Sequence, residues 1–262
     1  MTINFHKYHG TGNDFIICDN RNKEYDFLSQ EQIKKLCDRH FGIGADGLML
    51  LNEKEGFDFE MKYYNADGME GSMCGNGSRC MIQFAFSSGI RRDFYKFLAS
   101  DGPHDGEIAI DGMIAIRMQD VPHITKSHND FILNTGSPHY VKVVMDVMNT
   151  DVLTKGREIR YSKEFEKNGI NVNFVEQIEK SDKIMVRTYE RGVENETYSC
   201  GTGVTAAALV NYHNDNGFNE VEVKTLGGTL SVEYERVNNG QFINIWLSGP
   251  AEKVFEGTIE LK

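Results

Sequence analysis

Cys74-Gly-Asn-Gly-Ser-Arg-Cys-Met81 and Cys200-Gly-Thr-Gly-Val-Thr-Ala-Ala207 share one grammar: a cysteine, two glycines one residue apart, and entry into an apolar helix. The first helix reads from Ser78 to Ser88, with Cys80, Met81, Phe84 and Ala85 on its buried face; the second is Ala-rich and runs to about Tyr212. The separation lies far above the roughly 20 to 50 residues of solenoid repeats, so a single duplication of one α/β unit is expected. The fold class that follows is mixed α/β with two pseudo-symmetric lobes, each made of mainly antiparallel strands wrapped around a central helix.

Working outward from the first copy, Ile3 to Asp19 reads as two strands joined by a Gly10-Thr-Gly-Asn-Asp loop. Ser29 caps a helix over about Gln30 to Asp38, and Leu48 to Leu51 and Phe57 to Tyr64 pattern as hairpin strands. Short strands follow at Glu107–Ile110 and Met113–Met118. Pro122 to Asn129 is polar and unpatterned, which sets the lobes at residues 1–121 and 122–250. Around the second copy the pattern predicts strands at Phe131–Leu133, Tyr140–Val144, Asn171–Glu176 and Lys183–Tyr189, with helices around Val147 and over Tyr161–Lys167.

Composition removes several function classes. Apolar residues are 40% and charged residues 26% of the 262, as in ordinary globular proteins. With 39 acidic against 28 basic residues the net charge is −11, which repels phosphate backbones and anionic lipid, so neither a nucleic-acid nor a membrane partner is expected. No apolar run approaches the roughly 20 residues of a membrane span, and the first residues lack an apolar signal stretch, so a cytoplasmic address is expected. Five cysteines, Cys18, Cys37, Cys74, Cys80 and Cys200, are too few and odd in number for a disulfide scaffold and read as thiols.

Cofactor and metal motifs are lacking. Gly42-Ile-Gly-Ala-Asp-Gly47 formally matches the dinucleotide fingerprint, but here a helix precedes it and a strand follows, the reverse of what pyrophosphate binding needs. There is no Cys-x2-Cys pair and no His-Glu-x2-His, so neither a metal nor a cofactor is expected. The paired Cys-Gly-x-Gly segments admit two readings. Each cysteine is either a small buried thiol ahead of a tight turn, or a thiol whose ionised form is stabilised by a helix N-terminus. On the second reading the amides of Gly75, Asn76, Gly201 and Thr202 offer carboxylate sites beside two sulfurs. Two lobes closing on an amino acid would then set one sulfur to remove the α-proton and the other to return one to the opposite face.

The chain resembles the diaminopimelate epimerase family. The match is carried by Lys7-Tyr-His-Gly-Thr-Gly-Asn-Asp-Phe15, Arg39-His-Phe-Gly-Ile-Gly-Ala-Asp-Gly47, Tyr64-Asn-Ala-Asp-Gly68, Met73-Cys-Gly-Asn-Gly-Ser-Arg-Cys80, Asn134-Thr-Gly-Ser-Pro-His139, Asn171-Val-Asn-Phe-Val175, Tyr189-Glu-Arg-Gly-Val193 and Cys200-Gly-Thr-Gly203. The resemblance implies a cofactor-independent enzyme interconverting LL- and meso-diaminopimelate, in which Cys74 donates and Cys200 accepts a proton in the LL-to-meso direction. It implies that Asn13, Asn65, Asn171, Glu190 and Arg191 bind amino and carboxylate groups, that the amides of Gly75-Asn76 and Gly201-Thr202 hold the reacting carboxylate, and that His139 and Glu190 support catalysis. It also implies a homodimer, and a C-terminal segment from about Ala251 that returns to the first lobe. Without the resemblance, Glu190-Arg191 reads as a solvated charge pair and His139 as a turn residue. A sister racemase acting on proline and a thiol switch are the rival functions.

This sequence departs from the family pattern at Ser137, where Asn is common, at Gly47, where some members have Gln, and in a stretch before Cys200 that is one residue longer. No substrate contact is carried over to Ser137.

Overall fold

The computed structural model describes residues 2–71, 73–178, 183–210, 216–237 and 240–261. The chain divides into two compact units, one of residues 1–116 with 250–262 and one of residues 117–249.

The first unit contains β1 (Thr2–Gly10), β2 (Asn13–Asp19), α1 (Gln30–Cys37), β3 (Gly47–Asn52), β4 (Phe59–Asn65), α2 (Gly75–Ser87), β5 (Phe94–Ala99), β6 (Gly102–Ile108) and β7 (Ile114–Arg117). Its pairings run β1–β2 antiparallel, β2–β3 parallel, β3–β4 antiparallel, β4–β5 parallel, then β5–β6 and β6–β7 antiparallel. Both parallel steps contain a helix, because two parallel neighbours need a long crossover and two antiparallel ones need only a turn. Ser29 starts α1 with a capping box, in which its hydroxyl accepts from the Gln32 N–H while the Gln32 side chain accepts from the Ser29 N–H.

The two helices of this unit pack on opposite faces of the sheet, and β3 is buried on both. Leu48 and Leu50 join Ile33 and Leu36 of α1, whereas Met49 and Leu51 join Met81, Ile82 and Phe84 of α2. That alternation is the two-residue period of a strand, and burial on both faces explains the unbroken apolar run.

The second unit contains β8 (Thr125–Ser127), β9 (Asp130–Asn134), β10 (Pro138–Val143), α3 (Val152–Arg160), β11 (Asn171–Gln177), β12 (Lys183–Glu190), β13 (Asn195–Thr197), α4 (Gly201–Leu209), β14 (Gly217–Thr225), β15 (Gly228–Arg236) and β16 (Phe242–Gly249). Its pairings repeat the first unit step for step. β9–β10 is antiparallel, β10–β11 parallel, β11–β12 antiparallel, β12–β14 parallel, and β14–β15 and β15–β16 antiparallel. Again α3 and α4 lie in the parallel crossovers. α4 buries Val204, Ala206, Ala207, Ala208 and Leu209 against β10, β12, β14, β15 and β16, while Val152 of α3 packs with Val172 and Phe174 of β11. The duplication read from two short motifs therefore extends over the strand order of both units.

The last strand, β17 (Glu252–Glu260), pairs antiparallel with β1, and β8 pairs antiparallel with β9. These two strands occupy equivalent places, beside β1 and β9.

Several local expectations need correction, and α2 starts at Gly75, before the expected Ser78. The helix expected around Val147 and the one over Tyr161–Lys167 are turns, and the helix lies between them at α3, where the Asp151 carboxylate caps the Thr154 N–H at 3.0 Å. Gly156 in its middle, together with Val152 and Thr154, lowers its intrinsic propensity and hid it. β5 has no sequence expectation behind it, since Phe94 and Leu98 on its open face blur the alternation. β6 begins at Gly102, before the expected Glu107, and ends at Ile108. The polar segment after Pro122 contains β8. The expected end of the second apolar helix at Tyr212 lies outside the described residues.

Candidate active site

Cys74 is the N-cap of α2, with φ −116° and ψ 120°, and Cys200 is the N-cap of α4, with φ −120° and ψ 111°. Neither side chain caps its own helix. An extended N-cap sets its carbonyl to start the helix, as Ser78 N–H to Cys74 O (2.7 Å) and Val204 N–H to Cys200 O (2.8 Å) show. The amides between those positions have no intrahelical acceptor and form a donor cluster at the helix entrance. Each sulfur therefore stands at the positive end of a helix dipole.

The other three cysteines differ in kind. Burial holds the Cys18 and Cys37 thiols up at about 12 and pushes the Cys80 thiol higher still, so these remain protonated core residues.

In the first unit Cys74 is half-buried, and its Sγ lies 3.6 Å from Asn13 Oδ1. Asn76, almost fully buried, donates through Nδ2 to the same oxygen at 3.4 Å. Asn13 Nδ2 donates to Asp46 Oδ2 at 2.7 Å. Behind it Arg39 bridges Asp14 and Asp46, and Lys7 pairs with Asp14 at 2.7 Å and donates to the Gly44 carbonyl. Burial raises the Asp14 carboxyl, but hydrogen bonds from Arg39 and Lys7 more than reverse this and bring it to about 2. The loop that mimics a dinucleotide fingerprint closes α1: the N–H groups of Ile43 and Gly44 both donate to the Leu36 carbonyl. Asn65 ends β4, and the register Phe15–Gly47–Asn65 across β2, β3 and β4 places it at the same end of the sheet as Asn13.

In the second unit Cys200 is 8% exposed and its Sγ lies 3.5 Å from Thr202 Oγ1. Thr135 Oγ1 donates to the Thr202 carbonyl at 2.8 Å. Gly203 follows one residue later because a Cβ there would stand 2.3 Å from Asn173 Oδ1. Asn173 accepts from Thr188 and donates to the Tyr140 carbonyl, so its Nδ2 faces His139 Nδ1 at 3.0 Å as a donor. His139 must then be unprotonated at Nδ1 and carry its hydrogen on Nε2, a buried atom with no hydrogen-bond partner among the described residues. Burial and the Arg191 charge bring this imidazole down to about 3, so it is neutral at physiological pH.

The remaining residues singled out in the second unit meet at the start of β11. Asn171 Nδ2 donates to Ser137 Oγ (2.9 Å) and to the Pro138 carbonyl (3.0 Å), while its Oδ1 accepts from the Arg191 N–H (2.9 Å). The Arg191 guanidinium reaches the Asn168 carbonyl at 3.1 Å and Ser137 Oγ at 3.4 Å. Glu190 Oε2 accepts from Thr197 at 2.9 Å. Thr135 and Asn173 lie within family motifs but have no role read from the sequence, and Ser137 enters there only as a departure from the family pattern. Their importance follows from contact with His139, Asn171 and Thr202.

Among the described residues no helix is long and apolar enough to cross a membrane, and no group of three or more His, Cys, Asp or Glu side chains gathers as a metal site.

Comparison with known proteins bears on the fold and the family. Among solved structures, a PhzF-family phenazine biosynthesis protein from Bacillus anthracis aligns with a TM-score of 0.75 at 15% identity, covering 100% of both chains. A probable proline racemase from Agrobacterium radiobacter aligns at 0.68 and 13% identity, over 99% of this chain and 93% of the other. At such identities the likeness is one of fold. Sequence relatives are nearer. The diaminopimelate epimerase of Flavobacterium psychrophilum is 45% identical over 98% of this chain and 100% of its own length. That of Chlorobaculum tepidum is 42% identical, covering 96% and 99%. The diaminopimelate epimerase family profile matches residues 5–123 and 131–254, and with relatives this similar over the whole length, the chain belongs to the diaminopimelate epimerase family.

Proposed function

We propose that this protein interconverts LL- and meso-2,6-diaminopimelate without a cofactor, inverting one stereocentre with Cys74 and Cys200 and so supplying lysine and cell-wall precursor synthesis. The observation that carries the reading is the matched pair of cysteines, each an extended N-cap at the same step of a repeated topology. In the LL-to-meso direction the Cys200 thiolate takes the α-proton and the Cys74 thiol delivers its own proton to the opposite face. The sulfurs exchange protonation states, and the reverse reaction starts from that exchanged form. An α-carbanion is too basic to form unaided. Fixed donors must hold its carboxylate, and the first-turn amides Gly75-Asn76 and Gly201-Thr202 are of that type, each lost donor costing about 3 kcal/mol of transition-state stabilisation.

Of the other residues, Arg191 suits the distal carboxylate, Glu190 an ammonium group, and Asn13 and Asn65 provide mixed donors and acceptors. Asn171 spends both amide hydrogens on Ser137 and Pro138, which favours a role in holding Arg191 and Ser137 in place. His139, neutral with Nε2–H outward from Asn173, and Glu190 are the supporting acid–base groups. The reading carries with it a cytoplasmic homodimer, as the family resemblance implies.

The test is isotopic. Protein incubated with LL-diaminopimelate in heavy water, with nothing added, is expected to place deuterium at the α-carbon while meso product forms; unlabelled substrate after prolonged incubation would sink the reading. Turnover of proline in preference to diaminopimelate would instead reassign the substrate.

A further inference from the structure

Among the described residues Arg79 is the largest fully buried side chain, at 0% exposure, on the second turn of α2 beneath Cys74. A guanidinium in such a place ordinarily meets a carboxylate, since an unpaired buried charge is costly. Here every recorded partner is neutral: Asn76 Oδ1 at 2.9 Å, Thr11 Oγ1 at 3.4 Å, and the carbonyls of Pro250 at 3.4 Å and Gly75 at 3.5 Å. Among the described residues no Asp or Glu forms an ion pair with it. The nearby cluster of Lys7, Arg39, Asp14 and Asp46 cancels in formal charge within itself, which leaves the Arg79 charge uncompensated.

At the equivalent place on α4 the second unit has an uncharged residue. The two motifs align Arg79 with Thr205, whose hydroxyl donates to the Gly201 carbonyl at 3.0 Å. The two helix entrances are thus alike in backbone and unlike in charge.

Arg79 also fixes the direction of a chain of amides. A guanidinium only donates and the Asp46 carboxylate only accepts, so Asn76 must turn Oδ1 to Arg79 and Nδ2 to Asn13, and Asn13 must turn Nδ2 to Asp46. One end of this chain presents Asn13 Oδ1 to the Cys74 sulfur.

We propose that Arg79 is a positioning residue whose uncompensated charge makes the entrance of α2 the stronger of the two anion sites, so that Cys74 ionises before Cys200 in the ligand-free protein. This deepens the reading of Cys74 and Cys200 as the reacting pair and rests on it. The titratable and charged groups around Cys74 are Arg79 and Cys80 of α2, Lys7 and Asp14 of β1 and β2, Arg39 and Asp46 of the α1–β3 connection, and Tyr63 of β4. One contact opposes the effect: the Asn13 carbonyl accepts from a Cys74 thiol and gives nothing to a thiolate. A single S–H···O contact at 3.6 Å is weak beside a full charge held away from water, so the charge decides the sign.

The experiment follows iodoacetamide alkylation of both cysteines by peptide mass in the full chain, across about pH 5 to 10, where thiols titrate. Midpoints are compared, so the different exposure of the two sulfurs drops out. Cys74 is expected to titrate below Cys200. Arg79→Met is expected to raise the Cys74 midpoint by about one unit, a tenfold loss of thiolate well below the midpoint, without moving Cys200, and Arg79→Lys to keep it low. Cys200 titrating first in the unaltered protein overturns the proposal, as does a folded Arg79→Met protein with an unmoved Cys74 midpoint. Should Arg79→Met not fold, the wild-type order decides. Deuterium exchange into diaminopimelate on the same preparation separates the two ideas: exchange with Cys200 ionising first preserves the proposed function and removes the role of Arg79, while absence of exchange removes the function.

Discussion

The two helix entrances of this protein share a backbone and differ in what lies behind it. Cys74 and Cys200 agree within 4° in φ and 9° in ψ. Behind Cys74 stand Asn13, Asn76 and a buried arginine; behind Cys200 stand threonines, with a neutral histidine on β10 held by Asn173. Duplication supplied the shared part, and on the proposed two-base reading the difference means that one backbone setting carries two thiols with unlike surroundings.

The severest way to break the comparison is to remove one sulfur. Cys74→Ala and Cys200→Ala are each expected to lower epimerisation by about 10³-fold or more, since a direct proton carrier is lost, while the circular dichroism spectrum stays that of the parent. Ordinary turnover by either variant would mean that one base suffices.

A smaller effect separates the glycines that follow. A Cβ on Gly203 would meet the Asn173 side-chain oxygen at 2.3 Å, inside a buried hydrogen-bonded group, whereas on Gly77 it would meet the flexible end of Met49 at 3.1 Å. Gly203→Ala is expected to cost about 3 kcal/mol in urea unfolding, and Gly77→Ala about 1 kcal/mol or less. Equal losses would show that the tight packing behind Cys200 is no different from that behind Cys74.

The smallest effect sharpens the electrostatic contrast. His139 has its folded-state value depressed to about 3, so between that pH and its ordinary range near 6.5 the unfolded chain binds the extra proton. Stability from keeping it neutral is complete above the ordinary value and is lost as the pH falls toward the folded one. Between pH 7 and pH 5 this amounts to about 2 kcal/mol, which His139→Gln is expected to remove from the pH dependence of urea unfolding. Asp14 is lowered too, but its loss begins only near the ordinary carboxylate range and extends to about 2, below the interval in which His139→Gln is compared with the parent, and the depressed His6 is common to both proteins.

Much of this was legible in the residues, and the part that was not has physical reasons. Cys-Gly-x-Gly ahead of an apolar stretch announces a thiol near a helix N-terminus, because the glycines and the helix period are local properties, although α2 starts at Gly75 and makes Cys74 itself the N-cap. The Ser29 cap is visible for the same reason. α3 was misplaced because Gly156 answers to a distant neighbour: its absent side chain makes room for the ring of Tyr189. β5 escaped notice because Phe94, on its exposed side, is as apolar as Tyr95 and Phe97 beneath it. Arg79 could not be assigned from its neighbours in the chain, since an arginine on a helix is nearly always solvated, and only the packing of β1, β2 and the Pro250 carbonyl around it shows otherwise. Ser137 likewise gains meaning only from residues more than thirty positions away.

The pairing of β17 with β1 has a consequence for how the protein is made. β1 leaves the ribosome long before its antiparallel neighbour β17, and Ile3 and Phe5 share a core with Leu261. The N-terminal unit therefore waits, with one sheet edge uncovered, while the whole of the other unit is synthesised, and cannot be completed by any contiguous fragment ending before that strand. An open edge next to apolar side chains invites pairing with a neighbouring nascent chain. Between the translation of Gly10 and that of Glu260 this polypeptide therefore carries an open β1 edge that a neighbouring strand can pair with.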